Sequence, residues 1–155
     1  MEERTHLIQQ LDEARAKMRA VLVDMDTQME IYPDWTVKQV LAHITGWDDA
    51  IIASLRAHAG GDEPGTPASR GIDFYNAQSV AERKALAYDQ VVKEWELARE
   101  QLKTAIKEMP AERLEEPLLF PWGQVGTIAQ LVAIFAHHEE EHAGDIRKVK
   151  AESNE

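Results

Sequence analysis

The stretch LVAIFAHHEEEHAGDIRKV, residues 131–149, keeps a helical period throughout. Steps of four and three lead from Leu131 through Phe135, His138, His142 and Asp145 to Val149. A half-buried strand would alternate every second residue instead. The spacing predicts a helix that starts at Thr127-Ile-Ala-Gln130, where the Thr127 hydroxyl and the Gln130 amide can cap each other's backbone N–H groups, and ends near Lys150. Two imidazoles then lie on its core-facing stripe.

The same period recurs in three other places. Leu7, Leu11, Ala14, Met18, Val21, Met25 and Met29 predict a first helix that Pro33 terminates. Thr36-Val-Lys-Gln39 is a capping box for a second helix, whose apolar residues Val37, Val40, Leu41, Ile44, Trp47, Ile51 and Leu55 run to the Gly60-Gly61 pair. From Gly60 to Gln78 the composition turns to Gly, Pro, Thr, Ser and Asp and predicts a long connection. Ser79-Val-Ala-Glu82 reads as another capping box, opening a third helix to Met109 on the stripe Tyr88, Val91, Trp95, Ala98, Leu102 and Ala105. Three prolines and two glycines make 110–126 irregular. With no strand alternation, the expectation is an all-α chain: a single four-helix bundle over residues 1–150 with a frayed tail at 151–155.

A chain of 155 residues suits one domain, since domains run to roughly 100–200 residues. Lys and Arg number 17 against 28 Asp and Glu, and the net charge of −11 opposes nucleic acid and anionic membranes as partners. The absence of cysteine excludes disulfides, thiolate metal sites and a cysteine nucleophile. The acidic start MEERTHLIQQ carries no apolar h-region, so a cytoplasmic location is expected. No dinucleotide fingerprint, P-loop or nucleophile elbow occurs.

The chemistry concentrates on histidines. Burying an unpaired polar ring costs roughly 1–3 kcal/mol, so a core-facing pair is either hydrogen-bonded or ligated. His138 and His142 stand one turn apart, close enough for both to reach one divalent ion, and His43 borders the apolar face of the second helix between Val40 and Trp47. Three imidazoles would leave a position open for water or substrate, and they suit zinc, nickel, iron or copper. His137 lies about 100° around the helix and reads as flanking, while His6 and His58 read as solvated. Trp47, Tyr75 and Trp122 can either wall a pocket or fill the core.

Helical rise also bears on topology. At about 1.5 Å per residue, His43 lies about 10 Å into its helix and the His138/His142 pair about 15 Å from the end of theirs. Antiparallel second and fourth helices match these levels best. The bundle is then up-down-down-up, with the 60–78 connection as the long crossover.

His138-Glu-Glu-Glu-His142 satisfies both His-Glu-x-x-His and His-x-x-Glu-His, so the glutamate run generates the match rather than a placed base. Lys148 stands where the extended protease pattern needs histidine, which argues against a zinc protease. Glu139, Glu140 and Glu141 read as a solvated face.

Two segments carry a family resemblance. Trp35-Thr-Val-Lys-Gln-Val-Leu-Ala-His43-Ile-Thr-Gly-Trp47 and His138-Glu-Glu-Glu-His142-Ala-Gly-Asp-Ile146 resemble the helix 2 and helix 4 signatures of the DinB-like superfamily of bacterial four-helix-bundle proteins, which includes YfiT-like members. Asp73-Phe-Tyr-Asn76 with Val80 and Arg83 is similar to the branch containing the colibactin self-resistance and DfsB proteins, whose helix 4 departs from the histidine pattern retained here. The resemblance implies that His43, His138 and His142 bind a divalent metal, zinc or nickel first among candidates. It also implies a thiol-dependent transferase, isomerase or hydrolase type of activity on a small molecule, with a low-molecular-weight thiol as co-substrate, and a homodimer. Glu141 and Asp145 are expected to steady the ligands, and Trp47, Tyr75, Asn76 and Trp122 to line the pocket. No catalytic residue is assigned. The alternatives are a metal-free small-molecule binding or self-resistance protein and a non-catalytic helical interaction module.

Overall fold

In the computed structural model of the chain, which describes residues 2–153, the first apolar stripe stops being helical well before Pro33. Helix α1 spans Glu2–Leu22, and Asp24 then turns the chain with φ of 54°, a left-handed conformation that aspartate tolerates. Asp26 accepts the Gln28 N–H at 2.9 Å. The helix expected to reach Met29 is therefore seven residues shorter: the apolar spacing persists, but aspartate turn chemistry overrides it. Lys150 Nζ donates to the carbonyls of Val21 and Val23, serving acceptors that the helix end leaves free.

A small hairpin follows where no strand was expected. Strands β1 (Glu30–Tyr32) and β2 (Trp35–Thr36) are joined by Pro33-Asp34, and Tyr32 pairs with Trp35. Helix α2 (Val37–Ala59) then begins as expected, with Gln39 reaching back to the Thr36 N–H at 2.8 Å.

The crossover differs from expectation. It contains a helix, α3 (Ile72–Glu82), and the third bundle helix is the shorter α4 (Tyr88–Lys107). Ser79 caps nothing; inside α3 its hydroxyl donates to the Tyr75 carbonyl at 3.0 Å. It rests against Gly46 of α2, where any Cβ would overlap the serine side chain. No glycine or proline marks the break between α3 and α4. Tertiary contacts set it, with Arg83 bonding both Asp49 of α2 and Glu94 of α4.

After a single turn, α5 (Ala111–Leu114), strands β3 (Leu118–Leu119) and β4 (Val125–Gly126) form a second hairpin. Helix α6 (Ile128–Ser153) opens on a reciprocal box: Gln130 accepts the Thr127 N–H, and Thr127 Oγ1 accepts the Gln130 N–H. It runs three residues past Lys150, so Ala151 to Ser153 are helical, while the rest of the expected tail, Asn154 and Glu155, lies outside the described residues. Among the described residues no helix is long and apolar enough to cross a membrane.

Two core clusters fix the directions. One holds Met18, Val40, Trp95 and Ile146; the other holds Leu11, Ile51, Leu102 and Leu131. Helices α1 and α6 pass from the second cluster to the first as residue number rises, whereas α2 and α4 pass the opposite way. With α1 against α6 and α2 against α4, the bundle is up-down-down-up, and α2 is antiparallel to α6.

A charged layer lies at the junction of the clusters, one residue from each bundle helix. Arg15, Asp48, Arg99 and Glu139 are each 2% exposed or less. Arg99 grips Asp48 through Nε and Nη2 at 3.0 and 3.2 Å and reaches Glu139 at 2.8 Å. Arg15 Nε lies 3.1 Å from both Glu139 oxygens, and its guanidinium stacks 3.8 Å from the centre of the Trp95 ring. Burial alone would raise the Glu139 carboxyl, but Arg99 and Arg15 hold it below the usual carboxylate range. The solvated reading of Glu139 is thus corrected. His58 is also buried, bonded to the Arg113 carbonyl at 2.8 Å rather than solvated.

Candidate metal centre

The antiparallel crossing of α2 and α6 brings His43 against His138 and His142. Nε2 of His138 lies 3.0 Å from Nε2 of His43 and 2.9 Å from Nε2 of His142. One ligand atom from each ring falls within 4.8 Å of the others. His43 is buried and the other two rings are partly buried. Burial, reinforced by the neighbouring imidazoles, pushes His43 down to about 3 and His138 down to about 4. Burial also lowers His142, against the raising influence of Asp145 and Glu141. Neutral rings with available nitrogen lone pairs are what a divalent cation requires.

Tyr32 fixes the orientation of one ring. Its hydroxyl donates to Asp145 Oδ2 at 2.5 Å, and a carboxylate can only accept. Burial and the Asp145 bond raise the Tyr32 phenol, so the proton stays on oxygen. His142 Nδ1, 2.7 Å from that oxygen, must therefore be the donor. Its Nε2 then carries a lone pair aimed at His138.

Hydrogen bonding cannot satisfy the rest of the cluster. A single proton on His138 Nε2 serves His142 or His43 well, but not both. A cation that accepts the lone pairs of all three Nε2 atoms removes the conflict among them, and the donor set therefore fits a divalent metal.

The histidines floor a cavity of about 610 Å³. Trp47, Asn76 and Trp122 line it; Trp47 Nε1 donates to Asn76 Oδ1 at 2.7 Å. Tyr75 stands behind this wall instead, stacking on Trp47 with its hydroxyl donating to the Gly46 carbonyl. Asp145 is linked to His142 by hydrogen bonds through Tyr32, and its charge also acts on the ring directly. Glu141 sits at the rim and pairs with His137 at 2.7 Å, both well exposed. His137 thus lies outside the cluster, as its place on the helix predicted. His6 is exposed.

Sequence reasoning missed Tyr32 and Trp35. Trp35 packs with its ring centre 5.2 Å from that of His43. The available signal was Tyr32-Pro-Asp-Trp35, two aromatics bracketing a Pro-Asp turn, which places both residues on one hairpin.

The family model of the DinB superfamily matches residues 10–146. The chain belongs to the DinB superfamily. Among curated relatives of this DinB member, YuaE of Bacillus subtilis (strain 168), an uncharacterized protein, is 26% identical over 127 residues, covering 76% of this chain and 78% of YuaE. Two solved structures share the fold. YfiT from Bacillus subtilis, described as a probable metal-dependent hydrolase with an unusual four-helix bundle topology, superposes with a TM-score of 0.76 at 18% identity, covering 99% of this chain and 89% of YfiT. A mycothiol-dependent maleylpyruvate isomerase gives 0.77 at 14% identity over 92% of this chain. The DinB chain spans 60% of that isomerase's length.

Proposed function

We propose that His43, His138 and His142 hold one divalent ion, zinc or nickel, and that the protein is an enzyme acting on a small molecule in the cavity above it. The observation that carries this reading is the convergence of three Nε2 atoms, at 2.9 and 3.0 Å about His138, on the floor of a cavity of about 610 Å³. When bound, the ion supplies a Lewis acid that polarises an electrophile and acidifies water or a thiol. The chain's own groups do the positioning: Tyr32, anchored by Asp145, holds His142 in the tautomer whose Nε2 faces the site, and Trp47, Trp122 and Phe135 wall the cavity. The proposal extends to a low-molecular-weight thiol as co-substrate, which the mycothiol dependence of the isomerase of like fold supports. It includes transferase, isomerase or hydrolase chemistry, in a homodimer as the family resemblance implies.

Elemental analysis of protein purified without a histidine tag tests it. One equivalent of zinc or nickel per chain, lost in His43→Ala, is the expected result. A wild-type chain that takes up neither metal would leave the three histidines structural and return the metal-free binding reading to first place.

A further inference from the structure

Among the described residues, no lysine or arginine lines the cavity, and its two charged lining groups, Glu141 and Asp145, are acidic. Arg15 and Arg99 lie beyond the histidines but are committed to Asp48 and Glu139 in the buried layer. Apart from the Asn76 amide and the Tyr32 hydroxyl, the walls are aromatic and aliphatic. Trp47 spends its indole N–H on Asn76 and Trp122 spends its own on Gln124, so neither indole donor is left for a ligand. Phe135 continues this surface, and Ile72 and Ile134, 50% and 43% exposed, extend it to the rim. Together with the aromatic walls they make an apolar concave surface of the kind that small-molecule pockets present.

We propose that this cavity takes a molecule with one metal-binding head and an uncharged aromatic or aliphatic body, and discriminates against a body carrying a further anionic group. The proposal rests on the metal reading and names its substrate class. A head group has the three-histidine site to bind. A second carboxylate would leave water beside indole faces and two like charges, with no cation to pair it, and unpaired buried charge is costly. An aromatic body instead buries apolar area against Trp47, Trp122 and Phe135.

The test uses two thiols of nearly the same shape, 4-methylbenzenethiol and 4-mercaptobenzoate, with the cobalt(II)-loaded full chain at a pH where both thiols are ionised. The sulfur-to-cobalt absorption band reports binding without any assay of turnover. The methyl compound is expected to bind at least about tenfold more tightly, a difference of about 1.4 kcal/mol. Ile134→Lys, at an exposed rim position, should narrow the gap by favouring the carboxylate. Equal or tighter binding of 4-mercaptobenzoate to wild type overturns the proposal. If neither thiol gives a band although the chain holds cobalt, the metal-binding head is refuted, whereas a chain that takes up no cobalt refutes the metal reading. The same pair is then compared on the metal-free chain by tryptophan quenching, where a preference for the methyl compound keeps the apolar-body assignment and its absence overturns it.

Discussion

Tyr32 and His142, 110 positions apart in sequence, meet at 2.7 Å in a hydrogen bond whose direction is dictated by a third residue. Because the Tyr32 hydroxyl donates to Asp145, the imidazole must donate through Nδ1. Partners of this kind around metal-binding histidines typically contribute 10–100-fold to metal affinity. Tyr32→Phe should therefore weaken zinc binding by roughly that factor, read by competition with a chromophoric chelator. Asp145→Asn should cost less, since the amide oxygen can still accept from Tyr32. Wild-type affinity in Tyr32→Phe would remove the tyrosine from the site.

Glu139 directly follows His138 but faces the other way, into the arginines. Removing one partner of a buried ion pair leaves an uncompensated charge, at a cost of about 3–5 kcal/mol. Glu139→Gln should lower unfolding stability by about that amount in urea, while whatever protein remains folded keeps its stabilisation by metal. A loss below about 1 kcal/mol would make the network dispensable.

How much of this was legible in the sequence depends on which neighbours set each feature. The helical stripes and the His43/His138/His142 convergence follow from local periodicity and a length argument, and both are present in the fold. The charged layer was not legible, because each member directly follows a stripe residue: Arg15 after Ala14, Asp48 after Trp47, Arg99 after Ala98 and Glu139 after His138. A position 100° off the stripe reads as solvated on a single helix, yet in a bundle a third helix covers it. The α3/α4 break was hidden for a related reason, since Arg83 and Gly46 act across elements.

Gly46 makes the α2/α3 contact possible. An added Cβ overlaps the Ser79 side chain, and overpacking of this kind costs typically 1–3 kcal/mol. Gly46→Ala should destabilise by that amount, and Ser79→Gly in the same chain should recover most of it. Failure of the second change to help would mean that α3 is not held at this point. Since Ile72 and Asn76 ride on α3, ligand affinity should follow stability in both variants.

The metal-free protein should be acid-sensitive in a defined window. His43, His138 and His142 are all held below the ordinary 6.5, His43 at about 3 and His138 at about 4. As pH falls below about 6.5, the unfolded chain takes up protons that the folded chain refuses, so stability drops. Denaturation midpoints in EDTA should be level above about pH 7 and decline toward pH 5, where most carboxylates are still ionised in both states. His43→Leu and His138→Leu should each flatten the decline. A midpoint independent of pH across that window would mean that the rings are freely protonated in the fold.

The adjacent pair His137 and His138 gives the sharpest discrimination, because one helix presents both and only one faces α2. His138 lies 3.0 Å from His43, whereas His137 turns to Glu141 in solvent. An ion that binds only the folded chain stabilises it by about 2.7 kcal/mol at 100 times its dissociation constant. For a domain of this size that corresponds to a rise of roughly 5–10 °C in melting temperature. His43→Ala, His138→Ala and His142→Ala should each lose most of this response to zinc, and His137→Ala should retain it. Glu141→Gln should retain it as well, since the carboxylate pairs with His137 rather than with a ligand. If His137→Ala abolishes the response and His138→Ala keeps it, the ion is bound on the outer face of α6, and the inner triad is a buried imidazole cluster with no metal role.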